Sequence, residues 1–409
     1  MDLLGLQVVA VYIAGEAVGA LTQTAIADKV GRLRFMEMMC VIVTIGTAIQ
    51  TASVNIGMFL AGRVLAGGLV ATVPIYLSEI SDPRYRGLIG GISGCGISLG
   101  TMASNWVGYA CSFAPYGPVQ WRLPLGIQIP WGIIMFFGLS KRATSSNESG
   151  GTCVQMKCIV SSRSWLCRSN TRWSGRSHRT RRYSDSSDIC RFSLFPSRSA
   201  VKYLAFNRTM TSLTGVNVIQ YYQNSHTILA LAAVYGTIAF LVNCLTTKYL
   251  TDQWGRRKML LSGLAGIIVI EIYAAVMQRE FQNTDNQVGK GFAVLGIYLF
   301  VVAYYGMLNS TTWLYGAEVL PISLRSKVMG LAAASHFIVN VAITEAGPSA
   351  FANIGENYYY VFVACSAFFL VVAYFYFPET KQKTLEEIAA SFGDKVVAPG
   401  ENVTEDTLI

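Results

Sequence analysis

The chain has 409 residues, 52% of them hydrophobic and only 13% charged, where a soluble domain carries about a quarter charged residues. Together with a mean hydropathy of +0.41, this excludes an ordinary water-soluble domain and places the chain in lipid. The net charge of +9 is local: between 141 and 200, twelve Lys and Arg stand against Glu148, Asp185 and Asp188 and account for all of it, so the basic balance implies no nucleic-acid partner for the rest.

A hydrocarbon core about 30 Å thick needs roughly 20 mostly apolar residues per helix, and eleven such stretches follow one another. The first five are expected at 4–26, 35–54, 56–79, 88–112 and 122–140. They are continuous rather than alternating at period two, so they read as helices and not as barrel strands. No basic segment or small-residue cleavage site precedes the first, so no cleavable signal is expected. Six more stretches are expected at 204–223, 228–250, 259–278, 292–316, 329–351 and 358–377. The reading is an all-α integral membrane protein with an N-terminal bundle (1–140), a central loop (141–203), a C-terminal bundle (204–377) and a tail (378–409).

The central loop is rich in Arg and Ser and holds Cys153, Cys158, Cys167 and Cys190. Their spacing matches no zinc pattern, and no metal site is expected. The composition lacks periodicity and reads either as an out-of-frame stretch or as a disordered loop touching anionic lipid.

Short loops fix the orientation, because Lys and Arg collect on the cytoplasmic side. Lys29, Arg32 and Arg34 close the first stretch, Arg84 and Arg86 follow the third, and Arg256, Arg257 and Lys258 follow the seventh. The intervening loops are nearly free of Lys and Arg. The tail from Pro378 is therefore expected on the cytoplasmic side.

Two patterns occur once per half. Asp28-Lys29-Val30-Gly31-Arg32 returns as Asp252-Gln253-Trp254-Gly255-Arg256. Glu79 precedes Arg86 with Pro83 between, as Glu318 precedes Arg325 with Pro321 between. Duplicated halves around a central pathway are a common transporter design, with solute held near the midplane and access alternating between faces. Bidentate Arg–carboxylate pairs drawn from these motifs would tie neighbouring helices at one face; alternatively the Arg residues serve only to orient the loops.

These motifs, with Gly62-Arg63, Pro74 to Glu79, Trp121-Arg122-Leu123-Pro124, Thr214-Gly215-Val216-Asn217, Tyr221-Tyr222, Trp313 and Pro378-Glu379-Thr380-Lys381, resemble the sugar-porter branch of the major facilitator superfamily, fungal hexose transporters in particular. The resemblance covers nearly everything outside 141–200. It implies two pseudo-symmetric helical bundles and a sugar or polyol substrate, with a proton as the second partner in coupled members. No cofactor is implied.

The resemblance implies that Asn217, Tyr221, Tyr222, Asn243, Trp313, His336 and Asn340 surround the sugar, Tyr222 as part of the outer gate. Asn217 and Tyr221 share a helical face, as do His336 and Asn340, and an indole offers an apolar face to the sugar's C–H surface. Helix–helix hydrogen bonding without ligand is the alternative for these side chains. A cytoplasmic charge network of Asp28, Arg32, Glu79, Arg86, Asp252, Arg256, Glu318 and Arg325 is implied as the gate, and Arg63 as a proton-coupling partner.

The chain also departs from the family. Thr211 and Ser212 stand where the family carries a pair of sugar-binding glutamines, and Gly94 stands at another glutamine position. The first stretch matches the family's second helix, so the first is expected to be lacking. The expected function is transport of a sugar or related polyhydroxy solute across the plasma membrane, facilitative or proton-coupled. The alternatives are a non-transporting sugar sensor or an inactive truncated product. Zinc-protease, P-loop and nucleophile-elbow motifs are missing, which argues against an enzyme.

Overall fold

The computed structural model describes residues 3–67, 73, 75–77, 81, 86–115, 117–148, 209–214, 225–281, 284–320, 322–381 and 383. Among these there is no strand. In chain order the helices are α1 (Leu3–Val30), α2 (Arg32–Ala52), α3 (Ile56–Ala66), α4 (Arg86–Cys111), α5 (Pro118–Gly126) and α6 (Gln128–Glu148). In the second half they are α7 (Ser225–Tyr249), α8 (Arg256–Phe281), α9 (Gln287–Ala303), α10 (Ser310–Val319), α11 (Ile322–Ile354) and α12 (Tyr358–Tyr376). A single turn, Thr251–Trp254, leads into α8, and a π-helical segment, Tyr304–Asn309, joins α9 to α10.

Among the described residues, eight stretches are long and apolar enough to cross a membrane, and one of them, Lys327–Tyr376, contains most of α11 and all of α12. The expected third span is described as a helix over Ile56–Ala66, and the expected sixth, 204–223, lies mostly outside the described residues. Large apolar side chains face outward along the helices, among them Phe375, Trp131 and Val269. Such a surface would be a liability in water and is what a helix presents to acyl chains.

Several boundaries differ from the sequence expectation for identifiable reasons. The stretch expected over 122–140 is one membrane-length span, Pro118–Lys141, with a one-residue irregularity at Ile127 between α5 and α6. Pro124 and Pro130 cannot donate to the carbonyls one turn earlier, and Gly126 adds backbone freedom between them. α6 continues past the expected boundary at 140 as far as Glu148, because no Gly or Pro interrupts Ser140 to Glu148. α11 runs 33 residues, about 50 Å at 1.5 Å per residue, and outreaches the apolar run at both ends.

The repeated Asp-x-x-Gly-Arg motif has a conformational meaning. Gly31 (φ +94°) and Gly255 (φ +90°) are both in the left-handed region, where a Cβ is strained. Each sits between two helices and lets the chain reverse with no loop at all. We refer to this end of the bundle as the turn end.

The halves meet chiefly through two helix pairs, α1 with α11 and α4 with α7, with α4 also touching α10. Thr24 Oγ1 of α1 donates to the carbonyl of Lys327 on α11 at 3.5 Å. On α4, Asn105 Nδ2 donates to the Ala232 carbonyl at 2.8 Å and Trp106 Nε1 to Thr237 Oγ1 at 2.9 Å. The largest core cluster contains Ala17 and Ala20 of α1 together with Leu264, Phe300, Val328 and Phe337 of the second half.

Candidate functional site

The turn end of the second half carries a closed charge network. Arg256, the first residue of α8, places Nη2 3.0 Å from Glu318 Oε1 at the end of α10, with both side chains 2% exposed. The other Glu318 oxygen accepts from Thr380 Oγ1 at 2.7 Å. Glu379 lies across the start of α8, where Oε1 accepts from the Arg256 N–H at 2.9 Å and Oε2 from the Arg257 N–H at 3.2 Å. A carboxylate there satisfies amides with no partner inside the helix and meets the positive end of the helix dipole.

The segment Pro378 to Lys381 thus works as a buckle. Tyr315 Oη donates to the Pro378 carbonyl at 3.1 Å, its ring stacks on Phe377 at 5.3 Å, and Lys381 Nζ donates to the Gln253 carbonyl at 2.7 Å. The Pro-Glu-Thr-Lys motif therefore holds the exit of α12 against the entrance of α8 and the end of α10.

In the first half, Asp28 and Arg32 pair at 2.5 Å, one turn apart and partly exposed. Glu79 lies outside the described residues, as do the side chains of Arg86, Asp252 and Arg325.

A second polar group lies between the halves. Asn243 on α7 is fully buried. Its Oδ1 receives the hydroxyls of Ser310 at 3.0 Å and Thr247 at 3.3 Å and the Cys95 thiol at 3.4 Å, while Nδ2 has no partner. The π segment makes this possible, because its wider turn places Ser310 over α7. Gly94 is required opposite, since a Cβ there would collide with Ser310 Oγ. The position at which the resemblance expects a long amide is therefore filled from the other half.

Thr211 and Ser212, at the expected glutamine pair, are buried and engaged with α11. His336 Nδ1 is 3.1 Å from Thr211 Oγ1 and 2.6 Å from Ser212 Oγ, and Ser212 Oγ also donates to the His336 carbonyl at 3.0 Å. His336 and Asn340 are both half-buried on α11, one turn apart. Trp313 on α10 is 8% exposed and belongs to the main core cluster. Asn217, Tyr221 and Tyr222 lie outside the described residues.

Arg63 on α3 has its guanidinium over two rings, Tyr12 at 5.5 Å and Phe59 at 5.3 Å, and its Nε has no hydrogen-bond partner. Glu16 follows Tyr12 by one turn on α1. Two acids lie outside the residues expected from the sequence: Glu16, and the almost fully buried Glu271 on α8. Each was visible there as a lone carboxylate within an apolar run, the signal that usually marks function in a membrane helix. Among the described residues there is no cluster of His, Cys, Asp and Glu able to hold a metal ion.

Residues 2–392 match the family described as "Sugar (and other) transporter". The MFS-type transporter criB of Aspergillus cristatus is 27% identical over 410 residues, covering 95% of this chain and 84% of that protein. A high-affinity glucose transporter of Kluyveromyces lactis is 26% identical over 432 residues, covering 94% of this chain and 76% of that one. Among solved structures, the proton:xylose symporter XylE bound to 6-bromo-6-deoxy-D-glucose superposes with a TM-score of 0.74 at 15% identity, over 95% of this chain and 89% of that one. At that identity the likeness speaks for the fold alone.

Proposed function

This chain belongs to the sugar transporter family of the major facilitator superfamily, and we propose that it carries a sugar or related polyhydroxy solute across the plasma membrane by alternating access. One observation carries this reading: the same glycine turn closes both halves at one end, and in the second half it is latched by the buried Arg256–Glu318 pair. Two related halves that rock against each other are what alternating access requires, and the buried pair holds the helices of one half together at that face.

In this proposal the turn end faces the cytoplasm, together with the tail from Pro378, in keeping with the Lys and Arg at those turns. Asp28, Arg32, Glu79, Arg86, Asp252, Arg256, Glu318 and Arg325 form the inner gate. The sugar meets Trp313, His336 and Asn340, joined by Asn217, Tyr221 and Tyr222, while Asn243 holds α7 against α10 and offers its unpaired amide N–H when those helices separate. Arg63 is the fixed positive charge that a proton-coupled cycle would use, with Glu16 across Tyr12 as the acid. Uptake of labelled glucose, xylose and polyols in a transporter-null host tests the proposal. Accumulation that Trp313→Ala abolishes at equal surface expression supports it, and no uptake of any of them removes it.

A sugar sensor is the second reading. It is favoured by one observation: Thr211, Ser212 and Gly94 are short, and each is already in contact with another helix. Saturable sugar binding without counterflow would select it.

A further inference from the structure

Glu271 lies on α8, fifteen residues beyond Arg256, or about 22 Å from the turn end at 1.5 Å per residue. It is 1% exposed, and neither carboxyl oxygen has a hydrogen-bond partner. Across the interface, on α12, the hydroxyl of Ser366 is 0% exposed and interacts with the carboxyl without reaching full hydrogen-bond geometry.

The charged and titratable groups around this point are few. Cys365 of α12 lies close to Glu271, and the turn Gly355–Asn357 packed against α8 carries Glu356. Tyr273, on α8 itself, donates to the Phe292 carbonyl of α9. From α9, Tyr298 reaches toward the Leu231 carbonyl of α7. From the π segment, Tyr304 stacks on Phe300 and Tyr305 packs against Tyr235. Arg256 and Glu318 neutralise each other at the turn end. Lys290 opens α9 at the opposite end, and Arg279 and Glu280 there are exposed. No cation among the described residues compensates a carboxylate at 271.

An ionised carboxylate in that position would face a desolvation cost of several kcal/mol. The neutral acid avoids most of that cost and keeps Ser366 Oγ beside it as a hydrogen-bonding neighbour. We infer that Glu271 is a proton-binding site of the α8–α12 interface: carrying its proton it keeps the two helices closed, and losing it forces them apart or admits water between them. α8 begins at the Arg256 latch, so separation at Glu271 would be felt at the turn end through a rigid helix. The inference rests on the helix packing and not on which solute is carried.

The test is the thermal stability of the purified full chain in nanodiscs, wild type against Glu271→Gln, between about pH 5 and about pH 9. The stability supplied by the neutral acid is present at low pH and lost as pH rises. The wild-type midpoint should therefore fall on the order of 5 °C across this range, while the Gln variant, an isostere of the neutral acid, keeps the low-pH value throughout. An equal slope in both proteins, or a flat wild type, overturns the inference.

Should the variant fail to fold, the wild type is treated with dicyclohexylcarbodiimide. The O–H of a neutral carboxyl adds across one C=N bond, and the adduct rearranges to an N-acylurea with nothing leaving. Labelling of Glu271 that declines as pH rises supports the site, and unlabelled or pH-independent Glu271 overturns it. Neither readout depends on transport, so failure here is distinct from failure of the sugar reading.

Discussion

Arg256 and Glu318 meet at 3.0 Å with 2% of either side chain exposed, in a chain whose other described turn-end ion pair, Asp28–Arg32, is partly open to solvent. A buried pair loses more when one member is removed than an exposed pair does, because the survivor is left charged in a poor dielectric. Glu318→Gln should lower the stability of the purified protein by about 3–5 kcal/mol, and Asp28→Asn by less than about 1 kcal/mol. Denaturation midpoints of the two variants check the ordering.

The role of Glu379 is separable from that of Glu318, since it caps backbone amides and does not neutralise a guanidinium. Glu379→Ala should cost about 1–2 kcal/mol and speed hydrogen exchange at the amides of Arg256 and Arg257. Hydrogen-exchange mass spectrometry over the start of α8 reads this directly, and unchanged exchange there would contradict the cap.

The two turn glycines share a backbone conformation but not surroundings. A Cβ at Gly31 meets nothing within 4 Å, whereas one at Gly255 runs into the Glu379 carboxylate. Gly31→Ala should cost about 1–2 kcal/mol from backbone strain alone. Gly255→Ala should cost more, and Glu379→Ala should remove the excess. A double-mutant cycle on melting midpoints provides the comparison.

Gly94 and Ser310 form the close approach between α4 and α10. Gly94→Gln, which restores the amide expected from the family, should reduce rather than raise sugar uptake, because the longer side chain has to push Ser310 off Asn243. Gly94→Ala should be destabilised by about 1–3 kcal/mol through overpacking, and Ser310→Gly in the same chain should recover most of it.

Much of the architecture was legible because membrane helices must satisfy their own backbone in lipid, so apolar runs of sufficient length declare themselves. The runs at α1, α2, α7, α8 and α12 are near their expected places. The internal repeat was legible too, as a sequence coincidence at Gly31 and Gly255 whose backbone cause is a positive φ. Proline chemistry at 124 and 130 is equally present in the sequence, but it is local, whereas hydropathy is averaged over a window and does not reveal the irregularity at Ile127.

The sequence by itself determined the solvent of this protein, its helical class and the end at which its two halves turn, because each of these follows from composition or short-range spacing, and its motifs carried the resemblance to its family. It named Arg256 and Glu318 together without assigning them to each other, and it listed Asn243 without its partners. The tertiary structure decided that Arg256 pairs with Glu318 and that Glu379 caps α8. It also decided that Asn243 gathers Ser310, Thr247 and Cys95, and that Glu271 faces Ser366. These pairings join residues far apart in the chain, and which helix faces meet depends on the packing of the whole bundle, which no local pattern encodes.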